Sequence, residues 1–208
     1  MGRYTGPVCK LCRREGMKLF LKGARCHMAK CPIDTGRPPP GMHGARRSKM
    51  GDYALQLREK QRIRRTYGLQ ERQFRLFFDR ALKMKGVTSE NLLRLLELRL
   101  DNTVYRLGFA PSRRAARQFV RHGHVTVNGR KADIPSMILK AGDVVEVRDR
   151  PASRKYAEQF VELAESRGLV PWLKVDRKAM RGEVLYEPKR EEIPVNFNEQ
   201  LVVELYSK

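Results

Sequence analysis

Apolar positions recur at helical spacing through the middle of the chain and give way to alternation after residue 123. Asp52 is a capping residue for a predicted helix over 53–67, which Gly68 stops. A second helix, over 71–84, carries Phe74, Phe77, Phe78, Ala81 and Leu82 as its inward stripe, with Arg72, Arg75 and Arg80 outward. A third begins after Thr88 or Ser89 and extends to about Leu107. Its Leu93, Leu96, Leu100, Val104 and Leu107 repeat at spacings of three and four. Pro111 interrupts this pattern, and Ser112 caps a short arginine helix whose Ala115, Ala116 and Phe119 face inward. Arg113, Arg117 and Arg121, four residues apart, form a positive edge on the other side. Gly123 ends that helix, HVTVNGRK reads as strand, Asn-Gly turn and strand, and a turn at residues 140–143 leads into VVEV.

Beyond residue 150 the pattern is weaker. Pro151 and Ser153 open a helix with Tyr156, Phe160, Leu163 and Ala164 on one side. Trp172, which lacks a basic surround, is expected as a core anchor. EVLYEP and the terminal LVVELY are expected as short strands or extended packing segments. Ahead of the helices, residues 32–44 hold four prolines and three glycines, which prevents a regular helix and predicts an extended connector. His43 within it reads equally as a phosphate contact and as an exposed loop histidine.

Charge narrows the choice of partner. The net charge is +21 and the pI about 10.4, which points to a polyanion. Residues 1–150 hold 34 of the 44 bases and 13 of the 23 acids, so the whole surplus lies there, while 151–208 is neutral. The functional candidates are therefore cations in the first 150 residues. In the N-terminal segment they are Arg3, Arg13, Arg14, Arg46 and Arg47. On the first two helices they are Arg58, Lys60, Arg62, Arg64, Arg65, Arg72 and Arg75. Around the arginine helix they are Arg113, Arg114, Arg117, Arg121, His122, His124, Asn128 and Lys131. No apolar run approaches the roughly 18 residues of a membrane span, and the first residues show no apolar signal core. A cytoplasmic protein without a small-molecule substrate is expected.

All four cysteines fall early, as Cys9-x2-Cys12 and Cys26-x4-Cys31. Two local pairs of this kind suit a tetrahedral thiolate site, and a closed site of four thiolates is structural. Zinc is the expected ion. An iron–sulfur cluster uses the same ligands, two disulfides are the bland alternative, and His27 could replace a thiolate.

The run RLDNTVYRLGFAPSRRAARQFVRHGHVTVNGRKADIP followed by AGDVVEV resembles the small alpha-L type RNA-binding module of ribosomal and RNA-modifying proteins. Taken with GPVCKLCRREG, RPPPGMHG, DYALQLREKQRIRRTYG, ERQFR and NEQLVVELYSK, the chain resembles the family of bacterial small-subunit ribosomal protein number four over essentially its full length. The resemblance implies a primary ribosomal-RNA-binding protein that attaches early, at a multi-helix junction of the 5′ domain. It also implies contacts with small-subunit protein number five, a role in decoding accuracy, and a position near the path by which messenger RNA enters. The expected architecture is α+β: a four-cysteine knuckle with connector over 1–50, a helical domain over 51–96 completed by 151–208, and the module over 97–150. A pseudouridine-synthase-like enzyme using the same module and a zinc-knuckle DNA-binding regulator are the alternatives.

Overall fold

The computed structural model describes residues 4–44, 49–165 and 168–207, with backbone alone at 162–165. It is a mixed α+β fold with a mainly helical core and a small antiparallel sheet. The chain forms two compact units, Met1–Leu92 with Val195–Lys208, and Leu93–Pro194.

The first unit contains α1 (Cys9–Glu15), α2 (Asp52–Thr66), α3 (Glu71–Lys83) and α8 (Gln200–Tyr206). Asp52 is the first residue of α2 rather than its cap, and Gly68 follows the helix with φ +66°. Phe74, Phe77, Phe78 and Ala81 bury one stripe of α3 as expected, but Leu82 on its last turn is exposed. The expected strand at LVVELY is helical instead. Val202 and Tyr206, one turn apart, both face inward, so packing on α2 and α3 overrides the strand preference of two adjacent valines. Tyr206 lies 4.6 Å from the Phe78 ring and its hydroxyl donates to Glu71 Oε1 at 2.8 Å. Gln56 Nε2 donates to Glu204 Oε2 at 3.0 Å, which fastens α8 to α2.

The expected single helix to Leu107 is two, since α4 (Thr88–Glu97), which runs from the first unit into the second, stops before α5 (Leu100–Arg106). The reason is a backbone competitor. Leu100 N donates to Met137 O at 2.8 Å and Leu139 N to Leu98 O at 2.9 Å, so the chain between the helices is extended and bridges Arg99 to Ile138. Next come α6 (Arg113–Arg121), capped by Ser112 Oγ accepting from Ala115 N, and the strands β1 (Val125–Val127), β2 (Arg130–Ala132) and β3 (Val144–Val147). Asn128 and Gly129, both at positive φ, make the turn between β1 and β2 that the Asn-Gly pair predicts.

The sheet is larger than expected. After α7 (Pro151–Glu165), β4 (Leu173–Asp176) and β5 (Arg181–Val184) extend it in the order β2-β1-β3-β5-β4, every pair antiparallel. Residues 151–194 therefore belong to the unit that holds the module. Of the segment expected to complete the helical domain, only Val195–Lys208 does so. Trp172 is fully buried, as its surroundings predict. At Gly182 a Cβ would fall 2.3 Å from Leu107 Cδ2, so a larger residue there would displace the Leu107 side chain that follows α5 from its place against β5.

Glu71 carries a pH dependence. Burial alone would raise it, but hydrogen bonds from Lys60 and Tyr206 and the charges of Lys60 and Arg64 outweigh burial and hold it below 4.5. A depressed carboxylate stabilises the fold fully above its unfolded value and loses that contribution as pH falls through the folded one. Thermal melts of the wild type should thus lose stability in the acid range below pH 4.5, and Glu71→Gln should flatten that part of the profile.

Candidate nucleic-acid interface

The break between α4 and α5 carries two acids that organise α6. The Glu97 side chain is fully buried, and a buried carboxylate requires partners. Arg106 supplies two hydrogen bonds, at 2.9 and 2.7 Å, and Asn102 Nδ2 a third at 2.7 Å. Asn102 in turn accepts from Arg113 Nε at 2.7 Å, with the Arg113 guanidinium 4.6 Å from the Tyr105 ring centre. Asp101 accepts from the wholly buried Arg99 at 3.0 and 2.7 Å and from Arg117 Nη1 at 3.2 Å. Two arginines of α6 thus fasten it to α5.

That arrangement turns the expected positive edge. Arg113 and Arg117 point toward buried acids, while Arg114, Gln118, Arg121 and His122 form the exposed face, at spacings of four, three and one. Among the described residues Arg114 and Arg121 have no hydrogen-bond or ion-pair partner on their side chains. Lys131, exposed and 4.0 Å from Asp133, brings a further cation to the end of α6, where its Cε lies 2.7 Å from the place of a Gly123 Cβ. Asn128 is exposed but committed: Nδ2 donates to Asp143 Oδ1 and Oδ1 accepts from Val144 N, both at 2.8 Å, which clasps the hairpin to β3. His124 is half-buried, with Nδ1 2.9 Å from Ser153 Oγ and its ring stacked on Phe119 at 4.9 Å. Burial first, then the charges of His122, Arg150 and Arg148, hold it below the ordinary histidine value.

In the first unit most nominated bases are tied internally. Glu15, buried at the end of α1, pairs with Arg65 and lies 3.3 Å from Arg58 Nη1, while Arg62 pairs with Glu59 and donates to the Glu15 carbonyl at 3.2 Å. Burial nonetheless keeps Glu15 above the usual carboxylate range, against Arg65, Arg58 and Arg62. Lys60 and Arg64 reach Glu71 at 2.6 and 3.4 Å. Arg13 and Arg14 donate to the carbonyls of Pro38 and Pro40 at 2.7 and 2.8 Å, which folds the connector onto α1. Arg72 and Arg75 are exposed, without such partners among the described residues. Arg3, Arg46 and Arg47 lie outside the described residues.

Comparison with known proteins bears on this surface. Residues 3–97 match the family model described as ribosomal protein S4/S9 N-terminal domain, and residues 98–145 match the S4 domain. The chain is 56% identical over 208 residues to small ribosomal subunit protein uS4 of Trichlorobacter lovleyi, and 57% over 210 residues to that of Geotalea uraniireducens. It is 53% identical over 209 residues to that of Thermus thermophilus, and all three alignments cover the whole of both chains. The chain belongs to the uS4 family. Within a uS4 fold, the α6 face and the β1–β2 hairpin lie in the part matched by the S4 domain.

The four cysteines of this uS4 chain are not joined in disulfides, with Cys12, Cys26 and Cys31 buried and Cys9 partly so. Burial raises Cys12, a hydrogen bond from the Leu19 backbone lowers it, and nearby Cys26, Cys9 and Cys31 raise it further. Lys22 N donates to Cys26 Sγ at 3.4 Å. Among the described residues no three or more His, Cys, Asp or Glu side chains stand together as a metal-ligand group. His27 is exposed, its ring 5.2 Å from that of Phe20.

Sequence reading missed Glu97 and Asp101 as organisers of α6. Their signal was available, since each is an acid inside the leucine stripe and must find a cation there. Arg130 is exposed beside Lys131 and adds a cation to the hairpin. Asp101→Ala should destabilise the second unit by about 3–5 kcal/mol, because it removes the carboxylate that pairs with a buried guanidinium. Arg114→Ala should change stability by no more than about 0.5 kcal/mol. Denaturant unfolding of the two variants measures both.

Proposed function

We propose that this chain is a structural, ribosomal-RNA-binding constituent of the small ribosomal subunit and works in the cytoplasm. The observation that carries the reading is the end-to-end match to proteins named small ribosomal subunit protein uS4. The geometry supplies a means. RNA presents phosphate and 2′-hydroxyl groups at spacings fixed by its fold, and a rigid body with guanidinium groups on its surface recognises them by shape. Arg114 and Arg121, unpartnered on α6, are suited to that contact, with His122, Arg130 and Lys131 beside them; Arg113 and Arg117 fix the orientation of the helix. Arg72 and Arg75 give α3 a second cationic face.

The same reading extends to a junction in the 5′ domain of the small-subunit RNA, to neighbouring small-subunit proteins including number five, and to nearby messenger RNA. It assigns the chain no reaction. The enzyme and DNA-regulator alternatives are set aside because the relatives that match the full chain are ribosomal proteins. No helix among the described residues is long and apolar enough to cross a membrane.

For the N-terminal cysteines, zinc is proposed on the chemistry of the donors alone: four thiols in two local pairs, three of them buried, with backbone N–H groups directed at sulfur. Cys9, Cys12, Cys26 and Cys31 would hold the ion, and its contribution is to hold α1 and the following turn together. An iron–sulfur cluster is the competing occupant.

Binding to a small-subunit RNA junction fragment should weaken strongly in the Arg114→Ala, Arg121→Ala double variant, and the slope of log K against log salt should fall by about two units. An equal loss from Lys140→Ala would move the footprint elsewhere. Elemental analysis of the purified protein should find one zinc per chain, absent from Cys12→Ser with Cys26→Ser; iron with acid-labile sulfide would instead establish the cluster.

A further inference from the structure

Four bases converge where α6 gives way to β1 and β3 to α7. His122 follows α6, His124 precedes β1, and Arg148 and Arg150 follow β3. The two imidazole rings are 6.1 Å apart. Arg148 N donates to His124 O at 2.9 Å and Arg148 Nη1 to Gly123 O at 3.3 Å, so the segment after β3 is held against the His-Gly-His loop. His124 is in turn fixed by Ser153 and Phe119. Arg150 is exposed.

The remaining groups do not neutralise this corner. Asp149, the acid between the two arginines, is itself taken by Arg154 at 2.9 Å. From α6 come Phe119 and the cation Arg121, from β2 the cation Lys131 beside Gly123, and from α7 the uncharged Ser153 and Tyr156, the latter stacked on Phe119. The charges acting on His124 are those of His122, Arg150 and Arg148, all of one sign. Like charges held together in a folded protein form the electrostatic counterpart of an anion. The first turn of α7 adds little, because Pro151 has no N–H and the amides of Ser153 and Arg154 already donate to Arg150 O at 2.9 and 3.0 Å.

We propose that His122, His124, Arg148 and Arg150 form a phosphate-binding corner that takes one phosphodiester of the RNA backbone. This rests on the RNA-binding reading and adds to it two arginines that neither the helical pattern nor the hairpin signals. The guanidinium groups supply forked donors to phosphate oxygens, and the imidazoles close the corner from the loop. A bound phosphate offsets the repulsion at His124 and favours its protonated form.

The full-length protein would be titrated with pH while the His124 ring is followed by NMR, alone, with inorganic phosphate, and with a saturating small-subunit RNA fragment. His124 should titrate at higher pH with RNA than without, and inorganic phosphate should move it the same way by less. Arg150→Ala should raise the Kd for RNA about tenfold, lower the salt slope by about one unit and abolish the movement of His124. Lys140→Ala, at the opposite end of β3, should leave the His124 titration as in the wild type. RNA bound with wild-type affinity by Arg150→Ala, or a His124 titration unmoved by bound RNA, overturns the corner. If RNA does not bind at all, the RNA-binding reading fails, and the phosphate arm alone decides: an upward movement of His124 keeps the corner, and none overturns it.

Discussion

Two carboxylates buried at the break between α4 and α5, Glu97 and Asp101, set the arrangement of the second unit. A charge withdrawn from water is tolerated only when paired and hydrogen-bonded, so each acid gathers its cations from several elements. Glu97 draws Arg106, Asn102 and, through Asn102, Arg113; Asp101 draws Arg99 and Arg117. This determines the rotation of α6 about its own axis. The face left to solvent follows from which arginines the acids have taken.

Much of the fold was legible in the sequence where one local signal decided the outcome. The phenylalanine stripe of α3, the Ser112 cap and the Asn-Gly hairpin each rest on residues close in the chain, and each forms as read. The failures share a different cause. The interruption at Arg99 depends on residues 135–139, the helical state of residues 200–206 on α2 and α3, and the two added strands on β3. Long-range pairing of this kind leaves no periodicity in the segment that undergoes it. The site was legible as a concentration of arginine but not as a division of labour. Spacing puts Arg113, Arg117 and Arg121 on one edge, and only the buried acids reveal that the first two face inward.

That division changes the meaning of the net charge. A surplus of +21 suggests a broad cationic surface, yet Arg58, Lys60, Arg62, Arg64 and Arg65 on α2 engage Glu15, Glu59 and Glu71, and Arg13 and Arg14 hold the connector. Guanidinium suits both duties because it offers five donors, so an arginine held from one side by a carboxylate retains others. Internal pairing makes the cationic elements rigid, and rigidity is what recognition of a fixed RNA shape requires.

The position of α8 has a consequence for the order in which the chain becomes whole. The helix that closes the first unit is made of residues 200–206, whereas every residue of the second unit is present by Pro194. On a ribosome, where the chain grows from its N-terminus, the half that is synthesised first therefore waits longest for its last piece. Until then the aromatic stripe of α3 lacks Tyr206 and Gln56 of α2 lacks its bond to Glu204, although both helices already exist in sequence. Synthesis order and completion order run in opposite directions, and the aromatic stripe of α3 gains its Tyr206 contacts only once α8 has been made.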